Sequence, residues 1–169
     1  KVGIIGMGRI GQAIARRRAA FEMVPMYFGP RRKSGIPYPY FDNLEAMAAE
    51  VDVLVCACIG GPSTHHIVNY PVLKALGPKG IIVNVARGTV VDTDGLLVAL
   101  ANKELGGAGL DVYENEPGVP EGLLSMDNVV LLPHVGGNTA ETKTAMGKLV
   151  IENIRAYIDG NPLVTPFAA

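Results

Sequence analysis

The sequence has few cysteines, no long apolar run and no excess of charge of either sign. Its 169 residues include two cysteines, and 15 Lys or Arg balance 16 Asp or Glu to a formal net charge of −1. A general nucleic-acid or membrane surface needs a broad basic excess, which this chain lacks. No run approaches the roughly 18 apolar residues of a membrane span. We therefore expect a soluble globular protein that binds neither nucleic acid nor membrane, with a single well-buried core.

The cysteines and histidines do not form recognisable metal or redox patterns. Cys56 and Cys58 are separated by one residue in "VDVLVCACIG", which matches neither a redox C-x-x-C nor a zinc spacing. We predict that both are core or pocket-wall residues in a reducing compartment, the cytoplasm. His65 and His66 follow "GGPST" without a matching Cys or acidic ligand, so we predict no metal site.

Short apolar runs alternate with helical patterns along the whole chain. The runs are continuously hydrophobic, which is typical of strands covered on both faces. They occupy residues 2–5, 24–28, 53–57, 81–85, 108–112 and 128–132. The helical patterns occupy residues 9–21, 43–50, 69–76, 92–103, 120–125 and 139–159. This alternation predicts an α/β fold with a doubly wound (Rossmann) parallel six-stranded sheet and helices on both faces.

A glycine-rich loop follows the first predicted strand. In "KVGIIGMGRIGQAIARR", Gly6, Gly8 and Gly11 form Gly-x-Gly-x-x-Gly between a strand and a helix. In this setting the first glycine permits a tight turn, the second lets backbone approach a pyrophosphate, and the third allows close helix–strand packing. The helix N-terminus adds N–H groups and a positive partial charge. The loop therefore predicts dinucleotide binding.

The second predicted strand ends without an acidic residue. A dinucleotide fold normally places Asp or Glu about 20 residues into the unit to hold the ribose hydroxyls, but residues 23–41 contain none. Gly29 lies at roughly this place in "YFGPRRKSG", where it does not repel a 2′-phosphate, and Arg31 and Arg32 can bind one. We predict NADP as the cofactor, with NAD possible. A solvated basic turn is the alternative, and Lys33 has no predicted role.

Reactive side chains follow three of the predicted strands. Ligands of doubly wound sheets bind outside the carboxyl ends of the strands. There the chain has Arg87, then Asp111 and Glu116, then His134. This set suits the reduction of a carbonyl: Arg87 holds a substrate carboxylate, His134 delivers a proton, and Glu116 orients the imidazole. Taken singly, each residue also has a structural alternative: Arg87 as a solvated or salt-bridged residue, Glu116 as part of a turn before Pro, and His134 as a helix cap. We interpret Glu114 as a solvated neighbour.

Five segments together resemble one family. They are "VGIIGMGRIGQAIARR", "GGPSTHHIVN", "NVARGTVVDTDGLLVAL", "GAGLDVYENEP" and "NVVLLPHVGGNT". In order and content they resemble the nucleotide-binding domain of D-isomer-specific 2-hydroxyacid dehydrogenases, with the glyoxylate and hydroxypyruvate reductase branch most similar. The resemblance implies an oxidoreductase that transfers a hydride between a nicotinamide cofactor and a small 2-oxo or 2-hydroxy acid, such as glyoxylate or hydroxypyruvate.

The resemblance also assigns residues. It implies that Arg87 binds the substrate and polarises its carbonyl, that His134 is the acid/base, and that Glu116 is its partner. Ile59 departs from the family, which commonly has Pro there. With the glycine loop and the basic turn, the predicted cofactor-binding set is Gly6, Gly8, Arg9, Ile10, Gly11, Gly29, Arg31, Arg32, Cys58, Ile59, Thr64, Val85, Ala86, Arg87, Asp111, His134, Gly136 and Gly137.

The family builds its substrate site between two domains, and this chain resembles only one of them. We expect residues 1–138 to form the dinucleotide-binding domain and residues 139–169 a helix and tail that return toward a substrate domain absent from this chain. Such a piece would bind cofactor yet lack turnover. The family's dimer contacts imply a homodimer. A non-catalytic nucleotide-sensing or interaction module is the alternative function.

Overall fold

The computed structural model describes residues 1–166, apart from the side chain of Ala19. Its strands are β1 (Val2–Ile5), β2 (Pro25–Phe28), β3 (Tyr40–Phe41), β4 (Val53–Cys56), β5 (Ile81–Asn84), β6 (Gly107–Leu110) and β7 (Val129–Leu131). They form one sheet in the order β3-β2-β1-β4-β5-β6-β7, and every pair is parallel. The predicted doubly wound fold is confirmed. The sheet has seven strands instead of the six predicted. The additional strand, β3, was missed because its two residues are too few to produce a pattern in the sequence.

In the described part of the chain, six α-helices connect or follow the strands. They are α1 (Arg9–Arg17), α2 (Leu44–Ala48), α3 (Tyr70–Leu76), α4 (Thr93–Ala101), α5 (Glu121–Leu124) and α6 (Ala140–Ile158). Each lies inside its predicted range, which for α2 to α6 also includes the N-cap residue. For example, the side chains of Asn43 and Asn69 accept hydrogen bonds from the backbone N–H groups of Ala46 and Val72 at the starts of α2 and α3.

The hydrophobic core lies on both faces of the sheet. Successive strand residues point to opposite faces, so Ile5 and Leu54 join one buried cluster, whereas Ile4 and Val55 join the other. The first cluster contains residues of α2 to α5, and the second contains Ala15 of α1. This two-sided burial explains why the strands are mainly apolar.

The chain divides into two compact units, Lys1–Pro133 and the part that begins at His134. The first contains the sheet and α1 to α5. The second is built on α6, and the amide side chain of Asn153 hydrogen-bonds with both the backbone and the side chain of Thr165. The predicted division into residues 1–138 and 139–169 stays a prediction, and residues 167–169 of the predicted tail lie outside the described residues. Within the described part of the chain, no helix has the length and apolarity needed to cross a membrane.

Candidate functional site

A cleft opens at the carboxyl edge of the sheet, beside the ends of β1, β4 and β5. It consists of two adjoining cavities of about 610 and 360 Å³. Both are lined by Gly8 and by the loop after β4, residues 57–60. Strands β2 and β4 flank β1 on opposite sides, so the connections that follow β1 and β4 diverge here. Such a switch point is where doubly wound sheets bind ligands.

The three glycines of the loop have distinct structural reasons. Gly6 has φ +92°, and a Cβ there would lie 2.5 Å from the Cα of Cys58. A Cβ on Gly11 would lie 2.2 Å from the carbonyl oxygen of Gly6. At Gly8, in contrast, a Cβ would meet no atom within 4 Å, so the backbone there faces open space. The first and third glycines are therefore needed for packing, and the second leaves room for a ligand.

The N-terminus of α1 borders the larger cavity. Gly8 is the N-cap residue, the first turn contains no acidic residue, and the exposed Arg9 and Ile10 line the cavity. The first N–H groups of a helix lack partners within the helix and lie at the positive end of its dipole. This arrangement suits a phosphate group, so the residues present fit the predicted dinucleotide.

A basic turn, residues 29–33, borders the smaller cavity. Gly29, Arg31 and Lys33 line it, together with Tyr27. Gly29 has open space around it and no left-handed backbone conformation. Arg32 is exposed but is not among the lining residues, so its predicted contact stays a prediction. Lys33, for which the sequence predicted no role, lies at the cavity.

The two cysteines differ in burial, because β4 ends at Cys56 and Cys58 lies in the loop that follows. Cys56 is fully buried in the core, whereas Cys58 is partly exposed and lines both cavities. The prediction of core or pocket-wall positions is confirmed. Burial raises the pKa of both thiols above the ordinary value, and they therefore remain protonated near neutral pH.

The loop after β4 forms the rim of the smaller cavity. The hydroxyl of Thr64 donates to the carbonyl oxygens of Ile59 at 2.8 Å and Gly61 at 3.2 Å. Ile59 is 89% exposed although it lines both cavities. Thr64 thus holds the loop, and Ile59 presents an apolar side chain at the mouth of the cleft.

The backbone of the loop that contains Arg87 is held by a buried amide that the sequence did not single out. Arg87 lines this cavity with Val85 and Ala86. Asn84, 1% exposed at the end of β5, accepts from the backbone N–H of Ala86 at 3.0 Å and donates to the carbonyl oxygen of Arg87 at 2.9 Å. One side chain therefore satisfies both a donor and an acceptor of this loop.

Asn84→Asp is expected to destabilise the protein by about 2–4 kcal/mol, because a carboxylate cannot donate to the Arg87 carbonyl and would be buried with its charge. Urea unfolding measures the loss. Asn138→Asp, at an exposed position, is the matched control and should change stability by less than about 0.5 kcal/mol. Equal effects of both substitutions would contradict the role of Asn84.

The loop after β6 contacts the loop that contains Arg87. A Cβ on Gly88 would lie 1.9 Å from the carbonyl carbon of Tyr113, so only glycine lets these two loops meet. Asp111 is buried, and the exposed Glu116 accepts from the backbone N–H of Tyr113 at 3.0 Å. The loops bearing Arg87 and Glu116 are therefore packed against each other.

Glu114 is not the solvated neighbour that we predicted. Its carboxylate contacts the Nε2 of His66, and its side chain is 25% exposed. The sequence could not show this pair because the two residues lie 48 positions apart. His66 also stacks on His65, with ring centroids 4.0 Å apart. Among the described residues, no group of three or more His, Cys, Asp or Glu side chains could hold a metal ion.

His134 is the first residue of the second unit. It is exposed and has φ +54°, a conformation that is uncommon for a residue other than glycine and often marks functional positions. Gly136 and Gly137 follow it, and Gly137 has open space around its Cα. The predicted cooperation of His134 with Arg87 and Glu116 stays a prediction.

The fold, the glycine loop and the cleft together define a dinucleotide-binding domain of the doubly wound class. Residues 1–136 match the family described as D-isomer specific 2-hydroxyacid dehydrogenase, NAD binding domain. The chain belongs to this family, which confirms the resemblance found in the sequence.

Several reductases are similar over nearly the whole chain. Hydroxyphenylpyruvate reductase of Plectranthus scutellarioides is 49% identical over 98% of this chain, and glyoxylate/hydroxypyruvate reductase A of Arabidopsis thaliana is 48% identical over 98%. An NADPH-dependent glyoxylate/hydroxypyruvate reductase of Sinorhizobium meliloti, solved with NADP and malonate, is 47% identical, with a TM-score of 0.97 over 99% of this chain. The chain covers 53% of each of these proteins.

Proposed function

We propose that this chain is the cofactor-binding domain of an NADPH-dependent reductase of small 2-oxo acids. The observation that carries the proposal is the basic turn: Arg31 and Lys33 line a cavity beside the glycine loop, and Gly29 stands where an acid would repel a 2′-phosphate. The similar Sinorhizobium meliloti reductase, which is NADPH-dependent by name, supports the same cofactor.

The proposed chemical roles are those predicted from the sequence for Arg87, Glu116 and His134, of which Arg87 lies at the cleft. When bound, the nicotinamide supplies the hydride. Arg87, at the larger cavity, holds the substrate carboxylate bidentately and polarises the neighbouring carbonyl. His134 gives a proton to the carbonyl oxygen. Glu116 is proposed as the partner that orients the imidazole.

The proposed substrate class is a short 2-oxo acid, such as glyoxylate or hydroxypyruvate. The similar plant and bacterial proteins are named as reductases of glyoxylate, hydroxypyruvate, hydroxyphenylpyruvate and 2-ketogluconate. These compounds share a carboxylate next to a carbonyl, which is the group that Arg87 suits. They differ in the rest of the molecule, so the proposal rests on the shared group.

A comparative titration of NADPH and NADH tests the cofactor. We expect the chain to bind NADPH at least about tenfold more tightly, and Arg31→Ala to weaken NADPH binding by about 10- to 100-fold, because a charge-assisted hydrogen bond contributes roughly 1.5–3 kcal/mol. NADH binding should be unchanged in the variant. Quenching of nucleotide fluorescence or calorimetry gives both constants, and equal affinities for the two nucleotides would refute the proposal.

Activity is tested on the complete product of the gene with a panel of 2-oxo acids. His134→Ala is expected to lower kcat by about 10²- to 10⁴-fold, which is the usual contribution of general acid catalysis, while NADPH still binds. Arg87→Lys should instead raise KM, because lysine keeps the charge but cannot bind a carboxylate bidentately. Turnover that persists in His134→Ala would remove this residue from the mechanism.

We also propose that the protein forms a homodimer and that it is located in the cytoplasm. Met146, Val150 and Ile154 are each more than half exposed at four-residue spacing along α6, and a row of exposed apolar side chains suits a protein contact. The free thiols of Cys56 and Cys58 suit a reducing compartment. Size-exclusion chromatography with light scattering measures the assembly directly.

A further inference from the structure

We propose that the hydroxyl groups of Tyr27 and Tyr40 act as positioning groups for cofactor selectivity. They hold the two ends of the basic turn, residues 29–33, so that its cations face the place of a 2′-phosphate. The inference rests on the proposed function, since it explains how the preference for NADPH is built. Neither tyrosine was singled out in the sequence.

The two tyrosines form a pair on neighbouring strands. Tyr27 in β2 and Tyr40 in β3 are register partners, and their ring centroids lie 5.3 Å apart at an interplanar angle of 51°. Tyr27 is 1% exposed, and Tyr40 is half-buried. The rings belong to the same hydrophobic cluster on one face of the sheet. The position of each hydroxyl is therefore set by packing.

Each hydroxyl makes a hydrogen bond to the backbone at one end of the turn. The backbone N–H of Lys33 donates to the Tyr27 hydroxyl at 2.9 Å. The Tyr40 hydroxyl donates to the carbonyl oxygen of Gly29 at 3.1 Å. Residues 30–33 are otherwise exposed, so these two bonds connect an exposed basic segment to the core.

Fixing the two ends of the turn also limits the positions that Arg31, within the turn, and Lys33, at its end, can occupy. Arg31 and Lys33 line the smaller cavity, as does Tyr27. An exposed segment loses conformational entropy when it orders around a ligand, and a segment that is ordered beforehand binds more tightly. The gain applies to a ligand that contacts the turn through a 2′-phosphate. NADH lacks this phosphate, so its affinity should depend far less on the two hydroxyls.

The test is Tyr27→Phe, which keeps the ring and its packing but removes the acceptor for the Lys33 N–H. We expect NADPH affinity to fall by about 3- to 10-fold, the range of one neutral hydrogen bond, while NADH affinity changes by less than about twofold. Tyr40→Phe should act in the same direction. Tyr38→Phe, in which the ring near the Arg18 guanidinium is kept, is the matched control and should leave the ratio of the two affinities unchanged.

A double-mutant comparison separates positioning from a general structural effect. In a chain that already has Arg31→Ala and Lys33→Ala, Tyr27→Phe should cause no further loss of NADPH affinity, because the hydroxyl acts only through those cations. Thermal unfolding of each variant reports its stability. If Tyr27→Phe is too unstable to purify, Tyr40→Phe provides the same comparison.

The outcomes distinguish this inference from the proposed function. If the unsubstituted chain prefers NADPH but both tyrosine variants keep that preference, or lose NADPH and NADH affinity equally, the positioning role is wrong and the proposed function stands. If the unsubstituted chain binds the two nucleotides equally, the proposed function fails, and this inference fails with it. A selective loss of NADPH affinity that disappears without the two cations supports both.

Discussion

Gly29→Asp is expected to exchange the cofactor preference of this chain from NADPH to NADH. A carboxylate at this position repels a 2′-phosphate and accepts hydrogen bonds from the ribose hydroxyls of NADH. The position tolerates the side chain, because a Cβ on Gly29 would meet no atom within 4 Å and the backbone there is not left-handed. A charge-assisted hydrogen bond is worth about 1.5–3 kcal/mol, and the substitution weakens NADPH binding while it strengthens NADH binding. The ratio of the two Kd values should therefore change by about 100-fold or more.

The matched control is Gly29→Asn, which has the same shape without the charge. It should shift the ratio of the NADPH and NADH dissociation constants by less than about tenfold, because it neither repels the phosphate nor accepts as strongly from the ribose. Titrations of both nucleotides at two salt concentrations measure the electrostatic part, since salt screens it. If Asp and Asn change the ratio equally, the effect is steric, and the electrostatic explanation of the basic turn is wrong.

Gly88→Ala is expected to destabilise the first unit by about 3 kcal/mol. The new Cβ would lie 1.9 Å from the carbonyl carbon of Tyr113 and 2.3 Å from the backbone nitrogen of Glu114. These are backbone atoms, which cannot avoid the methyl group by changing rotamer, so the cost lies at or above the upper end for overpacking. The substitution should also separate the loops bearing Arg87 and Glu116 and lower kcat in the complete gene product.

Gly109→Ala is the matched control for stability, because a Cβ there would only touch Val83 at 3.8 Å. Its melting temperature should stay close to that of the unsubstituted chain, whereas Gly88→Ala should melt about 6–12 °C lower. Calorimetry or circular dichroism measures both. A melting temperature of Gly88→Ala near that of Gly109→Ala would show that the two loops are not held together by the absence of a side chain.

Most of the fold could be predicted because its signals are local. The six predicted strands are mainly apolar runs of four or five residues, and most of the predicted helices have a cap or an apolar stripe within their own range. The strand β3 was missed because Tyr40–Phe41 is too short for a pattern. It forms only because β2 offers an unpaired edge, which is a property of the assembled sheet.

The candidate site could be predicted where its residues belong to a motif. Gly6, Gly8 and Gly11 have the conformations and contacts that their spacing implied, and Arg87 lies at the cleft. Asn84 and Gly88 were not found, although both lie beside Arg87 in the sequence. The role of Gly88 depends on the Tyr113 backbone, which only the fold brings near. The bonds of Asn84 are local, but its burial at the end of β5 is set by the fold. The same holds for the contact between His66 and Glu114.

The stretch "YFGPRRKSG" shows where the two kinds of information divide. By itself the sequence determined that an acid is absent after β2 and that three cations follow, which predicts the class of cofactor. Only the tertiary structure decided that Arg31 and Lys33 line the cavity and that Tyr27 and Tyr40 hold the turn. The physical reason is that the residue types alone fix which charges are present. Where those charges lie depends on the path of the turn, which is bonded to tyrosines of β2 and β3, two strands that only the sheet places side by side.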